Sequence, residues 1–556
     1  MYNILLGGAA GQGVDTTAAI LEKLLKRAGY HILTVRDFMS RIRGGHNFML
    51  LRFGPERVYS HDSAVNAIVA LNEETYRLHE GELTPGGFIL CDSALQIDDP
   101  RAIKLDMAQM AKSLVNPRVA GTVAVGAVLK LFGETLDGAE NVLPAFIKEQ
   151  FLEINLKALR AGYDAVEARY PRLGGDTSED LLISGSKAMA LGALAAGLTF
   201  YSAYPMSPAT PVLESLAEMS KEANIVVEQA EDEIAAINMA IGASFAGARA
   251  MTGTSGGGFS LMVEALGLSG MAEIPVVIVN VQRPGPVTGL PTRTEQSDLL
   301  FTLSASQGEF PRLVIAPTNP EDAFYQTMRA FDLAEKYQIP VLLLSDQYLG
   351  DSSYTVPKPD PRRIAVSKPA KAHEGPEEYL RYRFTESGIS PRLLPGFTEN
   401  LVTADSDEHD ERGAITESAE IRNRMMEKRM KKLEGLAREL REPEFTGAED
   451  FEALVIGWGS TWGPIREALN LLNARGGKRY AALIFSDVYP LPTKLLTEKA
   501  AKAKELVNVE QNFTGQLAKL IRMETGIRMS QSVLKYDGRQ ISGREIADEL
   551  SKEGAQ

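Results

Sequence analysis

Met251-Thr252-Gly253-Thr254-Ser255-Gly256-Gly257-Gly258 is the most direct indication of the fold class in this chain. An apolar strand pattern breaks there into a glycine-rich turn, and a helix pattern follows the turn. The runs Val276-Val277-Ile278-Val279 and Val341-Leu342-Leu343-Leu344 come later in the chain. Near-continuous apolar runs of this kind are typical of parallel strands that are buried on both faces. The pattern therefore predicts an α/β fold with several parallel-sheet domains.

Composition divides the 556 residues into four predicted parts. Residues 1–175, 176–352 and 447–556 each alternate strand and helix patterns, which predicts three separate α/β domains. Residues 353–446 are rich in proline and charge, and they end in a charged helix pattern. We predict that this part is an extended arm rather than a core-forming domain, and we interpret its charge as a solvated surface.

The bulk composition limits the function classes. The formal net charge is −14 and the pI is about 5.2, which argues against nucleic acid or an anionic membrane as a partner. The one cysteine, Cys91, lies in an apolar strand pattern and is interpreted as core packing. One thiol excludes an internal disulfide and a four-thiolate iron–sulfur cluster within this chain. We expect neither a signal peptide nor a membrane span, and we expect a cytoplasmic protein.

A glycine-rich turn lies between the first strand pattern and the first helix pattern. It contains Gly11 and Gly13, and Ser40-Arg41-Ile42-Arg43-Gly44-Gly45-His46 follows about thirty residues later. The turn has neither the dinucleotide spacing nor a Walker lysine, so tight packing and an anion site are both open readings. The arginines could hold phosphate or face a neighbouring domain. His46 is interpreted as structural.

Three polar features in the second part could together form one ligand site. In Tyr204-Pro205-Met206-Ser207-Pro208, two prolines hold the Ser207 hydroxyl rigidly. Glu231, Asp232 and Glu233 then open a helix pattern of small residues, where acids are also common because of the helix dipole. Arg283 ends a buried strand, where it could bind an anion or pair with a neighbouring acid.

These motifs resemble the α subunit of the 2-oxoacid:ferredoxin oxidoreductases, with the family's γ domain fused in front. Tyr204-Pro-Met-Ser-Pro resembles the family signature Tyr-Pro-Ile-Thr-Pro, with the hydroxyl retained. The resemblance extends to the stretches that begin at Thr252, Gly285 and Val509, and to the glycine-rich turn with Arg43. It implies a Rossmann-like γ domain, a thiamine-diphosphate pyrimidine-type domain, and a transketolase C-terminal-like domain after the arm.

The resemblance also implies the cofactors and partners. Thiamine diphosphate would be shared with a β subunit, which would carry Mg²⁺ and a [4Fe-4S] cluster. Coenzyme A would be a co-substrate, and ferredoxin would take the electrons. The enzyme would act only with its β subunit, as a heterodimer or as an (αβ)₂ heterotetramer. No metal site is expected on this chain.

Site roles follow from the same resemblance. Glu233 is the expected catalytic carboxylate against the aminopyrimidine, and Glu231 is its rival if the helix register differs. Ser207 and Arg283 would bind the oxo-acid end of the substrate, while Arg293 or a β-subunit residue would bind a distal carboxylate. Further cofactor contacts are expected from Tyr204, Pro205, Thr254 and Ser255. Anion or coenzyme A contacts are expected from Gly11, Gly13 and Arg43.

The long charged arm resembles that of chains assigned to 2-oxoglutarate. The expected reaction converts 2-oxoglutarate, coenzyme A and oxidised ferredoxin to succinyl-CoA, CO₂ and reduced ferredoxin, or runs in reverse as the carboxylation of the reductive TCA cycle. Pyruvate and branched-chain 2-oxo acids remain alternative substrates. A non-catalytic partner-binding subunit remains an alternative from another class. A self-contained transketolase-like enzyme is disfavoured because the usual Gly-Asp-Gly diphosphate motif is absent from the sequence.

Overall fold

The computed structural model describes residues 1–39, 45–114, 116–177, 179–364 and 378–552. The chain forms two compact units, Met1–Ile183 with Ser352–Lys358 and Ser184–Asp351 with Pro359–Gln556. Within these ranges, three sheets of eight, seven and five strands make up the framework. The α/β fold class predicted from sequence is thereby confirmed.

The first unit is built on the eight-stranded sheet, whose strand order is β6-β5-β4-β1-β3-β2-β14-β7. Its elements are β1 (Tyr2–Ala9), α1 (Val14–Arg27), β2 (His31–Asp37), β3 (His46–Gly54), β4 (Val65–Ala70), α2 (Glu73–His79), β5 (Leu83–Asp92), β6 (Ala102–Leu105), α3 (Met107–Ser113), α4 (Ala120–Leu131), α5 (Ala139–Val142), α6 (Leu152–Asp164), β7 (Leu181–Ser184) and β14 (Ser353–Val356).

The sheet of the first unit is mixed rather than parallel. Strands β1, β4, β5 and β6 pair in parallel, whereas β3 pairs antiparallel with both β1 and β2. Apolar patterning predicts a buried strand but carries no direction, so the sequence could not separate the two pairings. Helices α1, α4 and α6 contribute to one apolar core of this unit.

The second unit contains the other two sheets. Its elements are α7 (Gly185–Ala195), β8 (Phe200–Ala203), α8 (Thr210–Ala223), β9 (Val226–Gln229), α9 (Glu233–Phe245), β10 (Ala250–Thr254), α10 (Gly256–Met271), β11 (Val276–Gln282), α11 (Leu299–Ser304), β12 (Leu313–Ile315), α12 (Pro320–Tyr337), β13 (Pro340–Asp346), α13 (Gln347–Asp351), α14 (Ala419–Ala437), β15 (Glu444–Thr446), β16 (Ala453–Trp458), α15 (Trp462–Arg475), β17 (Tyr480–Phe485), β18 (Asp487–Tyr489), α16 (Lys494–Lys502), β19 (Glu505–Glu510), α17 (Gln516–Thr525), β20 (Gln531–Leu534) and α18 (Gly543–Lys552).

The seven-stranded sheet has the order β18-β12-β13-β11-β10-β8-β9, and the five-stranded sheet has the order β15-β17-β16-β19-β20. Among the described residues, β18 is the one strand of the first of these sheets that pairs antiparallel, with β12. In the second, the described antiparallel strand is β15, which pairs with β17. Strands β10, β11 and β13 are buried along their whole length, as their apolar runs predict. Their carboxyl ends carry the residues of the candidate site.

The charged arm is not a solvated surface throughout, so that interpretation of its charge was wrong. Lys428 and Lys432 of α14 are buried, and their Nζ atoms each lie 2.5 Å from a carboxylate oxygen of Glu273. Arg381 donates to the Glu273 backbone carbonyl at 2.7 Å. The three cations hold the pKa of Glu273 well below its usual range. The sequence of the arm alone does not show that Lys428 and Lys432 pair with a buried acid far away in the chain.

Replacing Glu273 by glutamine is expected to destabilise the second unit by about 3–5 kcal/mol, because two buried ammonium groups would lose their counter-charge. The shift in the chemical denaturation curve measures this loss. Glu378→Gln is the matched control, since the Glu378–Arg412 pair in the same arm is exposed and such pairs contribute about 1 kcal/mol or less. Equal losses in the two variants would contradict the role assigned to the buried cluster.

Candidate functional site

Tyr204-Pro205-Met206-Ser207-Pro208, here called the serine turn, follows directly after β8. The backbone N–H of Ala209 donates to the Met206 carbonyl at 2.8 Å and closes the turn. Tyr204 and Ser207 are exposed, whereas Pro205 and Met206 are half-buried. The Met206 sulfur lies 3.8 Å from the Thr254 hydroxyl at the end of β10. The turn is therefore packed against the carboxyl end of a neighbouring strand.

Glu233 is the first residue of α9. Asp232 caps this helix by accepting a hydrogen bond from the Ala235 N–H at 2.8 Å, which is the usual role of an aspartate at this position. The Glu233 side chain points inward and is 3% exposed, while Glu231 is exposed. The Glu233 Oε1 atom is buried and has no hydrogen-bond partner among the described residues. Of the two rival carboxylates, only Glu233 enters the interior.

A glycine of α10 makes room for this carboxylate. A Cβ atom at Gly258 would collide with Glu233 Oε1 and with Thr254 Oγ1. Glu233, Thr254 and Met206 thus lie side by side at one end of the sheet. The Ser255 hydroxyl and the Asn280 Oδ1 atom are also buried and unpartnered within the described part of the chain. Unpaired buried polar atoms are costly. Several of them near the carboxyl ends of neighbouring strands are what a ligand site would provide.

Arg283 follows β11 and joins the serine turn. Its Nη1 atom donates to the Ser207 carbonyl at 2.6 Å, whereas its buried Nε atom has no hydrogen-bond partner among the residues described. Burial lowers the pKa of the guanidinium, and Asp298 opposes that shift. The structure therefore brings Ser207 and Arg283 together, but through the serine carbonyl rather than its hydroxyl.

Arg293 lies on a loop that is hydrogen-bonded to the segments that follow β20 and β19. The neighbouring Thr294 N–H donates to the Gly538 carbonyl at 3.3 Å, and Asn512 Nδ2 donates to the Gln296 carbonyl at 3.0 Å. Burial lowers the pKa of Arg293. Its role toward a distal carboxylate stays a prediction.

The glycine-rich turn of the first unit contains two residues in the left-handed region. Gly11 has φ +92° and Gly13 has φ +79°, which only glycine adopts readily. Gly13 is also the N-cap of α1. Arg43, the third expected anion contact, lies outside the described residues. His46 is buried beside His79, with 2.8 Å between their Nε2 atoms, in line with a structural role.

Sequence reasoning missed Asp298, Met206 and Gly258 as members of the site. Asn280 Nδ2 donates to Asp298 Oδ2 at 3.1 Å, and burial raises the pKa of Asp298 to about 6. Met206 and Gly258 stood within quoted motifs, but their contacts depend on tertiary packing. An acid fifteen residues after Arg283 carries no local signal that sets it apart from a loop carboxylate.

Within the described residues, no group of three or more His, Cys, Asp or Glu side chains could hold a metal ion. None of the helices in the described ranges is long and apolar enough to cross a membrane.

Two family models match this chain. Residues 3–165 match the family model of pyruvate ferredoxin/flavodoxin oxidoreductases, and residues 191–428 match the thiamine diphosphate-binding model of pyruvate flavodoxin/ferredoxin oxidoreductases. The chain is 33% identical to a 2-oxoacid:ferredoxin oxidoreductase subunit alpha of a Sulfolobus species, with 99% of this chain and 96% of that one covered.

Two further relatives extend the likeness. The 2-oxoglutarate oxidoreductase subunit KorA of Mycobacterium tuberculosis is 30% identical, with 99% of this chain and 90% of that one covered. A solved 2-oxoglutarate:ferredoxin oxidoreductase of Magnetococcus marinus, with 2-oxoglutarate, coenzyme A and succinyl-CoA bound, superposes with a TM-score of 0.93 at 32% identity and covers 99% of both chains. This chain belongs to the 2-oxoacid:ferredoxin oxidoreductase family, as an α subunit.

Proposed function

We propose that this chain is the α subunit of a 2-oxoglutarate:ferredoxin oxidoreductase. The reaction converts 2-oxoglutarate, coenzyme A and oxidised ferredoxin to succinyl-CoA, CO₂ and reduced ferredoxin, or runs in reverse. The observation that carries the proposal is the buried, unpartnered Oε1 atom of Glu233, beside Thr254 and at the same sheet end as the Ser207–Arg283 pair. The Magnetococcus marinus relative, which binds 2-oxoglutarate, supports the choice of substrate.

The residues at this sheet end fit the aminopyrimidine of thiamine diphosphate. A free, buried carboxylate oxygen suits a protonated ring nitrogen, because a charge-assisted hydrogen bond is strong away from water. Thiamine diphosphate supplies carbanion chemistry at a 2-oxo carbon when it is bound. Glu233 would hold a proton at N1′, while the Thr254 and Ser255 hydroxyls and the Tyr204-Pro205 turn would orient the ring.

The substrate contacts are assigned from charge. Arg283 would bind the C1 carboxylate, and the exposed Ser207 hydroxyl would hydrogen-bond beside it. Arg293 is the candidate on this chain for the distal carboxylate of 2-oxoglutarate, with a residue of the β subunit as the alternative. Pyruvate and branched-chain 2-oxo acids would need no distal cation. Gly11, Gly13 and Arg43 are proposed as contacts for coenzyme A.

The open surface around α9 supports a second subunit. Ile234 and Met239 on the outer face of α9 are 51% and 43% exposed, and Val226 on the edge strand β9 is 55% exposed. Exposed apolar residues on a helix and on an edge strand are typical of interaction surfaces. We assign this face to a β subunit that completes the site and carries Mg²⁺ and the [4Fe-4S] cluster. The assembly would be (αβ)₂, with ferredoxin as the electron acceptor; the cytoplasmic location stays a prediction.

Reconstitution tests this assignment. The chain purified alone is expected to show no CO₂ release from 2-oxoglutarate, because half of the site is missing. With its β subunit, the chain is expected to reduce ferredoxin in the presence of coenzyme A, with 2-oxoglutarate preferred over pyruvate and branched-chain 2-oxo acids. Turnover by the isolated chain would contradict a shared site, and a preference for pyruvate would contradict the substrate.

A further inference from the structure

Asp298 is fastened to the strand that precedes Arg283. Its Oδ2 atom accepts a hydrogen bond from Asn280 Nδ2 at 3.1 Å, and its backbone N–H donates to Gln282 Oε1 at 3.0 Å. Asn280 and Gln282 are the fifth and last residues of β11. Both the side chain and the main chain of Asp298 are therefore hydrogen-bonded to the carboxyl-terminal part of β11. Arg283 comes directly after this strand.

The Asp298 carboxylate also lies against the beginning of α10. A Cβ atom placed on Gly256, the first residue of that helix, would be 2.5 Å from Asp298 Oδ2. The glycine thus leaves just enough room for the carboxylate beside β10 and β11. A charge held at this point acts on the same sheet end as Glu233 and Arg283.

Two charged side chains act on Asp298 from the elements around it. The Arg283 guanidinium favours the ionised carboxylate, whereas Glu295 on the preceding loop disfavours it. Burial is the largest influence, and it raises the pKa of Asp298 to about 6. In turn, Asp298 raises the pKa of Arg283 against the effect of burial. The carboxylate and the guanidinium therefore influence each other's charge.

We propose that Asp298 is a positioning residue that sets how tightly Arg283 binds the carboxylate of a 2-oxo acid, an inference that rests on the substrate role proposed for Arg283. Ionised Asp298 offsets the positive potential at the guanidinium, so an incoming carboxylate is attracted less strongly. Protonated Asp298 leaves the full charge of Arg283 for the substrate. Substrate affinity therefore increases when Asp298 takes up a proton.

The pH dependence of KM tests this role in the holoenzyme with its β subunit. Wild-type KM for 2-oxoglutarate is expected to rise as the pH increases from 5.5 to 8.0, because Asp298 ionises near pH 6. Asp298→Asn is expected to have a KM at pH 8.0 that is roughly three- to tenfold lower than that of the wild type, and its KM is expected to change little with pH. The kcat value is expected to change less than KM. A wild-type slope that persists in the variant would overturn the proposal.

Two other carboxyl groups provide matched controls. Burial raises the pKa of Glu295 and raises that of Asp346, on the neighbouring strand β13, to about 6. Asp346→Asn is expected to keep the wild-type rise in KM. Glu295→Gln is expected to keep a rise whose midpoint lies at lower pH, because Glu295 disfavours the ionised form of Asp298. If one of these variants lost the rise in KM while Asp298→Asn kept it, the other carboxyl group and not Asp298 would cause the pH dependence of KM.

A second neutral variant keeps the proposal testable if Asp298→Asn does not fold properly. Asp298→Ser removes the charge with a smaller side chain, and it is expected to give the same flat KM profile. Arg283→Ala separates this inference from the proposed function. If that variant loses activity while both Asp298 variants behave like wild type, the role of Asp298 is wrong and the substrate role of Arg283 stands. If Arg283→Ala turns over normally, the substrate role itself fails.

Discussion

Glu233→Gln is expected to lower kcat for 2-oxoglutarate by roughly 10²- to 10⁴-fold, the range typical of a lost acid–base group. The glutamine keeps the size of the side chain but not its charge, so it cannot form the charge-assisted hydrogen bond that holds a proton at N1′. The fold is expected to persist, because Glu233 Oε1 has no hydrogen-bond partner in the described structure. Turnover by the holoenzyme, with thermal denaturation as the check on folding, measures the effect.

Gly258→Ala tests the position of the same carboxylate without changing its chemistry. The added methyl group would collide with Glu233 Oε1 and Thr254 Oγ1, so we expect a fall in kcat from displacement alone. Gly257→Ala is the matched control, since its Cβ would meet only the Val287 carbonyl, at 3.6 Å. If displacement of the carboxylate is the cause, kcat falls in Gly258→Ala and is retained in Gly257→Ala. Near-normal kcat in both Glu233→Gln and Gly258→Ala would remove Glu233 from the site.

Arg283→Ala is expected to lower the rate of decarboxylation strongly while leaving the fold intact. Loss of one partner of a hydrogen-bonded charge pair costs about 2–5 kcal/mol, which lowers kcat/KM by roughly 30- to 4,000-fold. Removal of the guanidinium also frees the Ser207 carbonyl, which now accepts its hydrogen bond at 2.6 Å. Arg283→Lys, which retains a charge but not the planar fork, is expected to fall between the wild type and the alanine variant.

A panel of 2-oxo acids distinguishes the two arginines. Every 2-oxo acid has a C1 carboxylate, so Arg283→Ala is expected to lower kcat/KM for 2-oxoglutarate, pyruvate and branched-chain substrates alike. Arg293→Ala is expected to lower it for 2-oxoglutarate alone, because only that substrate has a distal carboxylate. A uniform effect of Arg293→Ala would assign the distal contact to the β subunit. Near-normal turnover in Arg283→Ala would remove that residue from the site.

Much of the framework could be predicted from local sequence. The runs at Val276 and Val341 gave buried parallel strands, because a strand that is covered on both faces has little polar alternation. Asp232 and the small residues after it marked the beginning of α9. The inward direction of Glu233 was expected from family resemblance, whereas its burial beside Thr254 is visible only once α9 and α10 are packed.

The contributions that could not be predicted depend on distant partners. Lys428 and Lys432 sit in a sequence typical of an exposed helix, yet they pair with an acid about 155 residues earlier. Asp298 gains its raised pKa mainly from burial against β11 and α10, to which the nearby Glu295 adds a smaller effect. The antiparallel pairing of β2 and β3 depends on how distant segments meet, and apolar periodicity does not predict strand direction.

Strand β14 has a consequence for how this protein can be divided. It pairs with β2 through Ser353 and Tyr354 and lies between β2 and β7 in the first sheet, although the preceding 168 residues, Ser184–Asp351, belong to the other unit. A recombinant fragment that stops at residue 175 would end with β2 as a bare edge, whose unpaired N–H and C=O groups invite self-association. Expressing the amino-terminal region on its own therefore requires a linker that carries the 353–356 strand back to its place.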